Sequence, residues 1–146
     1  MPYRPAAPQR FRGIISAMPP EIIATPAVPA MNSTYSQAVR HGDVIYLSGQ
    51  LGVDPSTGIL ADGVLAQYRQ ALANIDAILQ AAGSSRSAVI KATVFMTDVS
   101  RLAELNEIYG AYFGDHRPAK TGVEVARLSG GALIEIEVIA AYNGGQ

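Results

Sequence analysis

From Val64 to Ala82, apolar side chains return every three or four residues, at Leu65, Tyr68, Leu72, Ile75 and Leu79. That spacing predicts one stripe of an amphipathic helix. Gly83, just after it, is the residue type that caps a helix C-terminus. The run Val44-Ile45-Tyr46-Leu47-Ser48 is short, apolar, β-branched and aromatic, and predicts a buried strand. Asp54-Pro55-Ser56-Thr57-Gly58 is turn chemistry. Ala88 to Met96 predicts another strand, and Thr97 to Ser100 supplies N-cap candidates for a second helix. In that helix Leu102, Leu105, Ile108, Tyr109 and Tyr112 are expected to point inward. Thr121 to Leu128 and Ala132 to Tyr142 predict two more strands, and Ser129-Gly130-Gly131 between them reads as a hairpin.

This order of elements is met most economically by an α+β domain: a single mixed β-sheet with two helices packed on one face. The last strand shows what the other face must do. Ile134, Ile136, Val138 and Ala140 point one way; Glu135, Glu137, Ile139 and Ala141 point the other. A face that mixes carboxylates with apolar groups suits contact with another subunit and the lining of a polar pocket. A closed symmetric oligomer is therefore expected.

Seven of the nine prolines precede residue 30. Proline fixes φ and lacks an amide donor, so residues 1–20 are expected to form a Pro-rich flexible N-terminal extension and residues 21–146 one domain. The whole chain has 146 residues, 49% apolar and 16% charged, which fits a single globular unit. With a net charge of -1 there is no basic excess, so nucleic acid is an unlikely partner. The absence of cysteine excludes thiolate nucleophiles, disulfides and cysteine metal sites. The two histidines, His41 and His116, lack the spacing of a metal pair, so no metal is expected. Both are expected on the surface. No apolar run is long enough for a membrane span, and the stretch from Gly13 to Met18 is too short for a secretory core. A cytoplasmic location is the expectation. An organelle transit peptide is the second reading, since no acid precedes Glu21.

Several ordered segments carry a family resemblance. They are Ile22 to Thr25 and on through Pro29 to Tyr35-Ser36-Gln37-Ala38-Val39; Val44 to Gln50; Gln67 to Gly83; Val89 to Asp98, with its K-x-T-V-F run; and Val123-Glu124-Val125-Ala126-Arg127-Leu128 followed by Ile134-Glu135-Ile136-Glu137. Over residues 21–142 the chain resembles the Rid (YjgF-like) family, whose best-known members are reactive-intermediate deaminases. The resemblance implies a chorismate-mutase-like fold and a homotrimer whose sheets form a central barrel, with small-molecule sites between subunits. It also implies hydrolysis of 2-imino acids or their enamine tautomers to 2-oxo acids and ammonia, with no metal and no organic cofactor.

In the family a P-[AP]-R-[ST] arginine clamps the substrate carboxylate. Here that motif reads Pro118-Ala119-Lys120-Thr121, and a position often held by cysteine is Gly122. Lysine offers a point charge and no planar fork. Lys120 is expected to anchor a small anionic metabolite; an amine that forms a Schiff base and a plain solvated lysine are the other readings. Arg117 is a candidate to supply the missing guanidinium. Glu135 aligns with the family glutamate thought to activate water, against an interfacial ion pair as its alternative. Tyr35 is expected to cover a flat substrate, or else to pack in the core. Ser48 and Gly49 offer backbone groups at a strand end. Asn106 is a binding candidate with helix capping as the competing role. Arg127 is expected in a structural ion pair.

The leading expectation is a cofactor-independent imine or enamine deaminase. The alternative is a non-catalytic Rid-fold protein that binds a metabolite or partner and has lost deaminase activity because Lys120 replaces the arginine. Ribonuclease activity, a label attached to parts of the family, is the weakest reading on charge and composition.

Overall fold

A computed structural model describes residues 18–29 and 34–144. Most of the expected N-terminal extension, residues 1–17, therefore lies outside the described residues.

The strands are β1 (Glu21–Ile23), β2 (Ala38–His41), β3 (Val44–Leu47), β4 (Gln50–Leu51), β5 (Val89–Met96), β6 (Ala119–Glu124) and β7 (Ile134–Ala141). The helices are α1 (Val64–Ala81) and α2 (Leu102–Phe113). Among the described residues these strands make one mixed sheet in the order β1-β2-β3-β7-β5-β6, with β4 also on β7. This is the expected α+β architecture of a single sheet and two helices.

Helix α1 buries Tyr68, Leu72, Ile75, Ile78 and Leu79 against the sheet. It ends as its sequence dictates. Gly83 takes φ +71°, its amide donates to the Gln80 carbonyl, and the Ser84 amide donates to that of Leu79. This pair of bonds satisfies carbonyls that a helix end leaves orphaned. Before α2, the Asp98 carboxylate accepts from the Ser100 amide at 2.9 Å. Leu105 and Phe113 are the buried residues of α2, whereas Leu102, expected inward, remains 36% exposed.

The hairpin expected at 129–131 does not form. Strand β6 pairs in parallel with β5, and β7 pairs antiparallel with the other side of β5. The chain between them crosses the end of β5 instead of turning back on itself. The Val125 amide donates to the Met96 carbonyl, and the Thr97 amide donates to that of Leu133. Gly130 and Gly131, at φ +64° and +74°, make the short helical turn of this crossing. The strand expected over 121–128 runs from Ala119 to Glu124, because α2 delivers the chain to the outer edge of β5 sooner.

Strands β3 and β4 follow one another along β7, and the register slips by one residue between them: Tyr46 faces Ile139, and Gln50 faces Ile136. Ser48 and Gly49 form this bulge, a device that re-aims side chains. Asn74 holds β4 to α1, donating to the carbonyls of Leu51 (3.2 Å) and Val53 (3.0 Å). Gly52 allows the approach, since a Cβ there would fall on the Gln67 backbone. Gly52→Ala is expected to cost about 2 kcal/mol or more of stability. A chemical-denaturation midpoint equal to wild type would refute that.

Candidate functional site

Alternation along the strands sorts the candidate residues onto two faces. Ile134, Ile136, Val138 and Ala140 are buried under the helices. Glu135, Glu137 and Ile139 lie on the opposite, helix-free face, alongside Thr93, Phe95 and Tyr46. Lys120 pairs in register with Ala92, which pairs with the buried Val138. Lys120 therefore points to the helix side. Within one chain Lys120 and Glu135 occupy opposite faces of the sheet, so no pocket of a single chain is reached by both.

The first group centres on Glu135. A cavity of about 120 Å³ is lined by Pro29, Tyr35, Gly49, Gln50, Leu51, Val53, Asn74, Ser129 and Glu135. Gly49 is glycine for a steric reason, because a Cβ would land on Glu135 Oε1. The carboxylate thus lies against the backbone of the β3–β4 bulge. Burial, followed by the neighbouring charge of Glu137, raises the Glu135 pKa above the ordinary value of 4.5. Tyr35 is 51% exposed at the rim, so it is not a core residue. The Ser48 hydroxyl is committed to the structure, donating to the Ser36 carbonyl at 2.6 Å. Gln37 ties the preceding segment down, donating to the Thr25 carbonyl (3.1 Å) and accepting from the Thr25 amide (2.6 Å).

The second group centres on Lys120. Its Nζ donates to Asn106 Oδ1 at 2.6 Å and lies 4.5 Å from the centroid of the Tyr109 ring. Asn106 and Tyr109 are three residues apart on α2 and so share a face of it. No ion pair to an acid is found for Lys120 among the described residues. Partial burial lowers its pKa from the ordinary 10.5. The ammonium is thus partly desolvated and held by neutral groups.

Other candidates fall outside both groups. Arg117 and Arg127 are exposed, and neither makes an ion pair among the described residues, the pair expected of Arg127 included. His41 is exposed as expected. His116, expected at the surface, is half-buried, with Nε2 2.7 Å from the Val89 carbonyl. Two contributors escaped sequence reasoning. Tyr109 packs against the core as the apolar stripe of α2 predicts and also meets Lys120, which the stripe does not show, and Asn74 is a polar residue on the buried side of α1. The polar break that Asn74 makes in an otherwise apolar stripe was its one available signal.

Among the described residues no helix is long and apolar enough to cross a membrane. Nor is there a cluster of three His, Asp or Glu that would hold a metal ion.

The family model described as Endoribonuclease L-PSP matches residues 25–142. The chain belongs to the Rid family. A RutC family protein of Pyrococcus horikoshii is 46% identical over 121 residues, covering 82% of this chain and 96% of that one. The 2-iminobutanoate/2-iminopropanoate deaminase of Salmonella typhimurium is also 46% identical over 121 residues, 81% of this chain and 94% of its own. Among solved structures, RidA from an Antarctic Psychrobacter superposes with a TM-score of 0.81 at 45% identity, covering 83% of this chain and 98% of that one. E. coli TdcF with bound serine gives 0.80 at 40%, covering 84% and 99%. The Rid-type fold read from the sequence is thus that of its relatives.

Proposed function

We propose that this Rid protein is a cofactor-independent hydrolase of imines and enamines, releasing ammonia and a 2-oxo acid, with its site assembled between copies of the chain. The observation that carries the reading is the Lys120 ammonium: half-buried, cradled by Asn106 and Tyr109, and without an ion pair to an acid among the described residues. A deaminase at 46% identity, named for 2-iminobutanoate and 2-iminopropanoate, supports the reaction class. A relative solved with bound serine supports an amino-acid-like ligand.

In this proposal Lys120 holds the substrate carboxylate as a point charge, with the Asn106 amide beside it. A neighbouring copy brings the Glu135 cavity over the imine carbon. Imine hydrolysis needs a water at that carbon and proton transfers between water and nitrogen. Glu135, set against the Gly49 backbone, orients the water and accepts its proton as the C–O bond forms. Glu135 passes that proton to the nitrogen, giving a neutral carbinolamine, and then moves the carbinolamine hydroxyl proton to the nitrogen as the C–N bond breaks, releasing the 2-oxo acid and ammonia. Tyr35 covers the cavity, and the Ser48–Gly49 bulge offers its backbone. Opposite faces on one chain come together when the exposed edge strand β6 of one copy lies against the helix-free face of the next. A homotrimer closes three such contacts. The exposed apolar groups Ile22 and Tyr46 on that face favour such a contact. A single domain over 21–146 preceded by the Pro-rich stretch, and a cytoplasmic location, complete the proposal.

The test is 2-oxo acid formation from imines generated in situ by an amino-acid oxidase, with semicarbazide as competitor. Wild type is expected to accelerate hydrolysis, and Lys120→Ala to fall to the uncatalysed rate. Equal rates for the two proteins would defeat the enzyme reading in favour of a metabolite-binding role.

A further inference from the structure

Helices α1 and α2 leave a groove of about 510 Å³ between them, within the size range of small-molecule sites. Neither Lys120 nor Glu135 lines it. Strands β4 and β5 each pair antiparallel with β7, and β6 pairs in parallel with β5, so all three run one way. The two helices that connect them in turn therefore run side by side in one direction. At one end of the groove the Tyr112 hydroxyl donates to Asp76 Oδ1 at 2.7 Å and pins the walls together. The floor is apolar, formed by Leu65 and Ile108, which are half-buried and pack on the core.

Four charged side chains line the groove, and two are already committed. Asp76 is bound by Arg86 and Tyr112. Glu104 accepts two hydrogen bonds from Arg101, at 2.6 and 3.0 Å. Arg69 on the α1 wall and Glu107 on the α2 wall make no ion pair among the described residues. Counted at about 1.5 Å per residue back from the Asp76–Tyr112 bond, they stand about 10 and about 8 Å along their helices, and so nearly level. An uncommitted cation and an uncommitted anion facing each other over an apolar floor are the complement of a zwitterion with an apolar body.

We infer that this groove binds an α-amino acid with a large apolar side chain. The carboxylate sits on Arg69, the ammonium on Glu107 and the side chain over Leu65 and Ile108. An arginine fork suits a carboxylate, which it takes through two parallel bonds. The site is separate from the proposed reaction site and does not depend on it. Its selectivity is also opposite. A 2-oxo acid lacks the ammonium that Glu107 would pair, and its carboxylate would lie opposite an acid left without a partner. Arg69 and Glu107 are both exposed, so each charged contact strengthens binding about fivefold. Each methylene moved out of water adds about fourfold.

Calorimetry with leucine, glycine and 4-methyl-2-oxopentanoate tests this on wild type, Arg69→Gln, Glu107→Gln and Lys120→Ala, with circular dichroism to confirm the fold of each variant. Leucine is expected to bind wild type and Lys120→Ala alike, and each glutamine variant about fivefold more weakly. Glycine, without a side chain for the floor, is expected to bind about tenfold more weakly than leucine or worse. The oxo acid reports on the other site: its binding should depend on Lys120 and stay unchanged in Arg69→Gln and Glu107→Gln. No binding of leucine to wild type, leucine binding unchanged in both glutamine variants, or leucine binding lost in Lys120→Ala would each overturn the inference. Leucine binding as expected beside an oxo acid that does not bind would count against the proposed reaction site alone and leave the groove standing.

Discussion

Mixing two inactive variants, Lys120→Ala and Glu135→Gln, and letting their subunits exchange is expected to restore deaminase activity. The reason lies in the strand register. Lys120 shares the helix face with Ala92 and Val138, while Glu135 shares the other with Phe95. A site that needs both must draw them from different chains. In an equal mixture, a subunit that keeps Lys120 meets a neighbour that keeps Glu135 at about a quarter of the directed contacts in a closed ring. Each variant alone is expected to lose about a hundredfold or more, the usual worth of a positioned proton acceptor or a charge clamp. The mixture therefore rises from near nothing to about a quarter of wild type. Subunits should be exchanged by partial denaturation and the assembly followed by light scattering. A mixture no more active than its parts, with exchange verified by mass, would sink the shared site.

The sequence carried the local part of this organisation and left out the non-local part for a definable reason. The 3.6-residue period of α1, its Gly83 cap and the alternation along β7 are local signals, and each appears where the pattern put it. Strand partnership is not local. Ser129-Gly130-Gly131 has the composition of a hairpin, yet the backbone bonds at Val125 and Thr97 show the chain passing over β5. Nothing in those three residues distinguishes a return from a crossing. The same non-locality hid the sidedness of the site. The sequence places Lys120 and Glu135 on separate strands, and only the parallel pairing of β6 with β5 shows that they turn to opposite faces. Tyr109 packs inward against Phe113 as the apolar stripe of α2 predicts, and its ring also lies under Lys120, a contact that the stripe does not disclose.

The binding of a 2-oxo acid is expected to fall at unusually mild alkaline pH in wild type, and to stop doing so in Lys120→Arg. The sign follows from desolvation. Burial disfavours the charged form, so the Lys120 ammonium loses its proton below the ordinary 10.5. Once neutral it no longer attracts a carboxylate, and affinity weakens by up to about tenfold per pH unit beyond that point. A guanidinium stays charged throughout the accessible range and adds a planar fork for the carboxylate. The arginine variant should therefore bind with a flat alkaline profile. On the acid side, burial and Glu137 hold the proton on Glu135 above 4.5. A base must be ionised to accept a proton, so kcat/KM should rise with pH through a limb displaced upward from the usual carboxylate range. Glu137→Gln removes the second cause of that displacement and should move the limb down, leaving the alkaline limb in place. The rate profile is then a bell narrowed from both sides by two separate desolvations, and each variant widens it on its own side. Wild-type binding that stays constant to beyond pH 10.5 would show that Lys120 does not hold the anion.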